Sequence, residues 1–239
     1  MGGRAMRGFR GGLAALMLIW TAGAARAACP DTAAVARTAQ AMLERRSPEA
    51  YPDLSLADAA CAREKLVAVL AQPWGDPQGY KVGLTSEAAQ RRFGVPHPLR
   101  GTLFFGTLRE RSGAELPARF GAVPVIESDL LVRVSSEAIN EAGSDQLAIL
   151  RSLDQVIPFI ELPDLVFGPG VTVDGPQLLA INVGTRSGVL GTPIPVRAEA
   201  DFAQRLGSMT VTIRTEQKEL ARAPGTALLG HPLNVVTWL

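Results

Sequence analysis

The sequence predicts an α+β fold, and three observations carry that prediction. Two capped, Ala- and Leu-rich stretches occupy the region up to residue 71, and β-branched runs dominate from residue 124 onward. No repeat, low-complexity tract or linker separates the two regions. The expected organisation is a leader over 1–27 and one domain over 28–239, with a small helical N-terminal part (28–78) and a β-rich body (79–239).

Asp31 to Arg46 reads as a helix capped near Asp31, because an Asx oxygen at that position satisfies free amide groups of the first turn. Ser47-Pro48 ends it. Ser55 followed by Asp58 has the spacing of a capping box and opens a second helix, Leu56 to Ala71. Pro73 and Gly75-Asp76-Pro77 break the chain before a short strand, Gly79 to Leu84. Ser86 to Phe93 is helical and closed by Gly94. Pro124 to Val134, Val156 to Phe167, Leu178 to Val183 and Met209 to Thr215 read as strands, with a helix over Asp145 to Leu153.

Formal net charge is +1, and residues 1–27 hold Arg4, Arg7, Arg10 and Arg26 without an acid, so their removal leaves −3. A chain so nearly neutral lacks the broad basic field that nucleic-acid binding by counterion release requires. With 47% hydrophobic and 20% charged residues it is also no disordered chain. The order of basic residues, an apolar run from Leu13 to Trp20, and Ala25-Arg26-Ala27 is the layout of a secretory signal peptide, cleaved near Ala27. The 15-residue uncharged run from Gly11 to Ala25 is too short to span a bilayer comfortably, so no membrane association is expected after cleavage. Arg26 argues against lipidation at Cys29. The expected location is periplasmic or secreted. Cys29 and Cys61 are the only cysteines; an even count in an exported chain favours one disulfide over two buried thiols.

Chemistry begins with lysine. The chain has 21 arginines and three lysines, so Lys81, inside a short apolar strand, stands out as a group able to exchange a proton. An edge-strand lysine reaching water is the plainer alternative. Glu127 and Asp129 lie two apart in an apolar strand and project from one face. Glu161 sits in another such strand, with Asp164 three residues on. Converging carboxylates are hard oxygen ligands suited to Mg²⁺ or Mn²⁺; the alternative is a solvent-facing side of each strand. His97 and His231 sit in a turn and at a helix start and are weak site candidates. No nucleophile elbow, Walker loop or dinucleotide fingerprint occurs.

Gly79-Tyr80-Lys81-Val82-Gly83-Leu84-Thr85-Ser86, Phe93-Gly94-Val95, Val125-Ile126-Glu127-Ser128-Asp129, Glu161 with Asp164, Asn182, Gly188-Val189-Leu190-Gly191 and Leu229-Gly230-His231-Pro232-Leu233-Asn234 appear in this order. Together they resemble the 2-keto-4-pentenoate hydratase family, within the fumarylacetoacetate-hydrolase-like superfamily. The resemblance implies a metal held by Glu127, Asp129 and Glu161, Lys81 as the catalytic residue, and Thr85, Ser86, Asp164 and Asn182 at the substrate. The implied ligand is a small 2-oxo or 2-hydroxydienoic acid, and relatives form oligomers. Three departures bear on activity. Leu99 stands where an acid is usual, Ile181 and Gly184 replace an Asp and a Ser, and the chain stops at Trp238-Leu239 where relatives continue. The resemblance therefore leaves two expectations, an exported hydratase, decarboxylase or related lyase, and a degenerate binder of a 2-oxo acid.

Overall fold

The computed structural model describes residues 1–2 and 29–239; the expected leader lies outside the described residues. Helices α1 (Thr32–Leu43) and α2 (Leu56–Trp74) open the fold. Asp31 caps α1 by accepting from Ala34 N, and Ser55 and Asp58 form the full reciprocal box on α2. Pro73 does not end α2 where expected; the helix runs one residue further and stops at Gly75, whose φ of 81° continues no helix.

Strand β1 (Pro77–Gly83) pairs antiparallel with β2 (Leu99–Phe104), and α3 (Glu87–Phe93) lies between them in sequence. Ser86 caps α3 and Gly94 closes it in the left-handed conformation, as their residue types dictate. The main sheet has the order β3 (Glu110–Arg111), β6 (Ser187–Leu190), β5 (Leu153–Leu162), β4 (Glu127–Val134), and β7 (Ile194–Pro195) pairs with β5 off that path. Helices α4 (Gln146–Arg151) and α5 (Gly175–Ala180) flank β5 in sequence. Helix α6 (Ala200–Ser208), a hairpin of β8 (Thr210–Arg214) and β9 (Glu219–Pro224), and α7 (Pro232–Trp238) complete the chain.

One expectation is overturned here. Leu178 to Val183 is not a strand: it forms the second half of α5 and enters a following 3-10 turn. Asp174 accepts from Gln177 N and Pro176 occupies the first turn, so a helix start outweighs the apolar run. The body after residue 79 is accordingly mixed, with helices packed on its strands.

Two apolar clusters hold these pieces. The first joins α1, α2 and α5 to β2 through Val35, Met42, Leu66, Leu70, Phe104 and Ile181. The second packs α4, α6 and α7 on β5 through Ile149, Leu150, Val156, Phe202, Leu206 and Leu233. Cys29 and Cys61 are bonded, closing a loop of 32 residues' separation that ties the start of the domain to α2. Beside it Lys65 Nζ donates to Pro30 O at 2.7 Å. Cross-linking a loop of that length restricts the unfolded chain by about 3–4 kcal/mol. Reduction, or the Cys29→Ser/Cys61→Ser double variant, is therefore expected to lower the thermal midpoint by several degrees, as calorimetry under oxidising and reducing conditions will show; equal midpoints would remove this role for the bond.

Candidate active site

The site forms where the β1–β2 hairpin meets the main sheet. Lys81 and Glu161 bury their charges together: Nζ lies 2.5 Å from Glu161 Oε1, and the side chains are 9% and 4% exposed. Lys81 is thus no edge lysine reaching water. It can lie flat against its partner strand because the residue opposite it is Gly101. A Cβ there would stand 3.0 Å from Lys81 Cγ and 2.7 Å from the Asn182 carbonyl oxygen. Gly101 went unnoticed in the sequence; an isolated glycine within a strand was its signal.

Across the sheet Glu161 faces Glu127, and Phe159 faces Asp129. Directly opposed residues share a face, as do residues two apart, so all three carboxylates project from one side. Like charges opposed on neighbouring strands destabilise a sheet, and the single lysine offsets only one of three. The Phe159 ring lies over Gly188 of β6, where a Cβ would come within 2.0 Å of it, and so brings an apolar ring against the carboxylate face. Burial first, then the Glu161 charge, pushes the Asp129 carboxyl up to about 7 from its ordinary 3.8. Glu127 is raised for the same first reason; Lys81 opposes the rise and Glu161 adds to it.

A surplus of hard negative charge, buried at Glu161, half-buried at Asp129 and exposed at Glu127, fits a divalent cation in kind and in sign. Lys81 takes one oxygen of Glu161 and leaves Oε2 without a hydrogen bond, while Asp129 Oδ1 accepts from Leu130 N at 2.7 Å. The trio shares a face without converging. Among the described residues no three acidic, histidine or cysteine side chains stand together as an assembled metal site.

Two residues expected at the substrate have other partners. The Asp164 carboxylate, fully buried, accepts from Ala122 N, Val123 N and Val166 N at 2.9, 2.7 and 3.1 Å. It staples the end of β5 to the loop that enters β4, and so sets Glu161 beside Glu127. Gly121 makes room for it, since a Cβ there would lie 2.4 Å from Asp164 Cγ. Asn182, also fully buried, accepts from Thr102 N at 2.7 Å and donates to Thr102 O at 2.9 Å, mimicking a strand partner for β2. Their polar atoms are spent on backbone, so both position the site instead of touching a ligand. Ser86 is likewise occupied as the α3 cap, whereas Thr85 lines the cavity described below. His231 caps α7 through Nδ1 and its Nε2 lies 3.0 Å from Ala203 O, away from the carboxylates; His97 Nδ1 meets Pro98 O.

The departures from the resembled pattern are built into the core. Leu99 is 2% exposed and sits in the first cluster, as does Ile181. Gly184 takes φ +68°, closing a turn in which Asn182 and Val183 also have positive φ. The buried Thr185 hydroxyl donates to Asn182 O at 2.9 Å and braces that turn.

A cavity of about 900 Å³ opens over the charged pair, lined by Lys81, Glu161 and Asp129 at one end and by aliphatic side chains of β4, β5 and α7 elsewhere.

This architecture superposes on the 4-oxalocrotonate decarboxylase of Pseudomonas putida G7 complexed with magnesium and adipate, with a TM-score of 0.71 over 87% of this chain and 80% of that one, at 21% identity. The chain shares that fold. In sequence it is similar to the TodF product hydratase of Pseudomonas putida, 29% identical over 67% of this chain and 58% of that protein. Similarity extends to the 2-keto-4-pentenoate hydratase of Paraburkholderia xenovorans, 29% over 67% and 57%. The 2-oxo-hept-4-ene-1,7-dioate hydratase of Escherichia coli matches at 27% over 79% and 70%. The chain thus spans under three fifths of the first two hydratases. No family model matches it.

Asp129 must lose its proton to hold a cation, so magnesium affinity is expected to fall about tenfold per pH unit below about 7. Without metal the sign reverses for stability. The raised carboxyl favours the folded state at low pH, and its contribution is lost as pH rises from about 3.8 to about 7. Thermal denaturation across that range, with and without magnesium, checks both; Asp129→Asn should flatten the metal-free decline and abolish magnesium stabilisation.

Proposed function

We propose that the protein is a divalent-metal-assisted lyase acting on a small 2-oxo acid, by hydration of a 2-hydroxydienoate or a related decarboxylation. The observation that carries this reading is the buried Lys81–Glu161 pair, set beside Asp129 at the charged end of the cavity and opposite Glu127 in register. The likeness to hydratases in sequence and to a decarboxylase complexed with magnesium in fold supports it.

Glu127, Asp129 and Glu161 are the residues that would hold a divalent cation such as magnesium, and binding would require them to draw together from the shared face on which they stand apart. When bound, the cation supplies Lewis-acid polarisation of the 2-oxo group. Lys81 does the proton work. Its Nζ is held by Glu161, shielded from water and set in the cavity wall, placed to donate to an oxygen or carbon that gains electron density during the reaction. Glu161 orients Lys81 through Oε1, taking the part that a separate acid at position 99 plays in the resembled pattern. Phe159 excludes water from this face. The same reading exports the protein by its leader into a compartment where the Cys29–Cys61 bond persists.

The test follows ultraviolet absorbance of 2-hydroxypenta-2,4-dienoate, and carbon dioxide release from 4-oxalocrotonate, with purified protein and magnesium. Magnesium-dependent turnover is expected, and Lys81→Gln should lower kcat at least about a hundredfold while circular dichroism shows it folded. Absent turnover of both substrates, together with magnesium-dependent thermal stabilisation by a 2-oxo acid, would replace this reading by that of a binding protein.

A further inference from the structure

The cavity is larger and more apolar than a five-carbon acid requires. At about 900 Å³ it lies near the top of the range that pockets for drug-sized ligands occupy, about 300–1,000 Å³. Its floor is the carboxylate face of the main sheet. Moving along β4 and β5 from the Glu127–Glu161 rung, the opposed pairs are Asp129–Phe159, then Leu131–Ile157, then Arg133–Gln155. The floor therefore passes from charge, through the Phe159 ring, to the apolar Leu131–Ile157 rung within about 14 Å. Leu190, Leu228 and Val236 add aliphatic wall.

Five charged side chains line the cavity: Lys81, Asp129, Glu161, Arg111 and Arg133. Arg133 is engaged by both oxygens of Asp154, at 2.8 and 2.5 Å. Arg111 Nη1 is turned onto the carbonyl oxygens of Leu108, Arg109 and Glu110, at 2.9, 3.1 and 3.2 Å. Arg133 is thus paired with a carboxylate, Arg111 has Nη1 turned onto main-chain oxygens, and Leu131, Ile157 and Leu190 lie between these arginines and the Lys81 end.

We infer that the ligand of this site is a 2-oxo monocarboxylic acid with an extended, uncharged hydrocarbon tail, its polar head at Lys81 and its tail over Leu131 and Ile157. This rests on the proposed function for the head and on the cavity walls alone for the tail. Each methylene moved from water onto those walls contributes about fourfold in affinity.

Calorimetric titration of the full protein in magnesium buffer tests it, using 2-oxobutanoate, 2-oxohexanoate, 2-oxooctanoate and 2-oxodecanoate, with 2-oxoheptanedioate as the charged-tail comparator and octanoate as the ligand lacking the oxo group. The expected result is affinity rising about fourfold per methylene before it levels off, with 2-oxoheptanedioate weaker than 2-oxohexanoate. Leu131→Ala, confirmed folded by circular dichroism, should weaken 2-oxooctanoate at least about fourfold and leave 2-oxobutanoate unchanged. Equal affinity along the series, or tighter binding of the dicarboxylate, overturns the inference and leaves the proposed function standing. Octanoate binding as tightly as 2-oxooctanoate, with no magnesium dependence, upholds the tail site and removes the 2-oxo acid reading. No binding by any of them removes both.

Discussion

The ion pair between Lys81 and Glu161 is the contact on which the site depends. It is the one buried bridge among the described residues, the other ion pairs being substantially exposed, and it joins the β1–β2 hairpin to the main sheet. Two charges taken out of water lose several kcal/mol of hydration each, which their mutual attraction recovers only in good geometry. Packing that cost into the centre of a fold is a poor route to stability and a direct route to a lysine that is dry and fixed. What surrounds the pair is explicable as the means of holding that geometry: Gly101 under the lysine stem, Asn182 clamping β2, and Asp164 registering β4 against β5.

Four of the seven described non-glycine residues with positive φ lie in the same supports. Leu84, just after β1, has φ 58°, and Asn182 and Val183 have 57° and 54°. A β-branched residue in that region is a true outlier, costing on the order of 1–3 kcal/mol. The cost has a visible return in contact. Val183 turns its side chain onto Gly83, where a Cβ would stand 2.6 Å away, and the same turn delivers the Asn182 side chain to Thr102. Leu229, φ 52°, donates its N–H to Thr85 O, which ties the approach to α7 to the segment that follows Lys81. Strained residues thus sit one or two positions from the groups that line or fix the site, on three separate chain segments.

Much of this was legible in the sequence, and what was not has a physical cause. Caps at Asp31, Ser55 and Ser86 are local chemistry and were readable, as were Lys81 and the carboxylate strands, because charge inside an apolar run is conspicuous. The pairing of Cys29 with Cys61 followed from count and context. Roles were harder. Asp164 and Asn182 look in sequence like any polar residue near a site, and only the distances to Ala122, Val123 and Thr102 show their atoms to be occupied. The 178–183 segment was misread because an apolar run of that length has no period that separates helix from strand, and the deciding residues, Asp174 and Pro176, lie outside it. Strand β2 is set by β1, some twenty residues earlier with α3 between them, so local pattern could not announce it.

The replaced acid at Leu99 bears on how the chemistry is distributed. Leu99 is buried in the first cluster, and Gly83 stands opposite it in register. A carboxylate there would sit unpaired among Leu66, Leu70 and Phe104, a position that disfavours the charged form. Leucine is thus consistent with its surroundings, and the substitution belongs to the packing of α2 on β2. Its consequence falls on the Lys81–Glu161 pair. With no second acid beside the lysine on the hairpin, the proposed proton transfer and its orientation would fall to residues on opposite sides of one interface, and any motion that separates the hairpin from β5 would break both at once. A site arranged this way couples its chemistry to the rigidity of the two apolar clusters. That accounts for the density of close-packed glycines, Gly83, Gly101, Gly121 and Gly188, exactly where its elements touch.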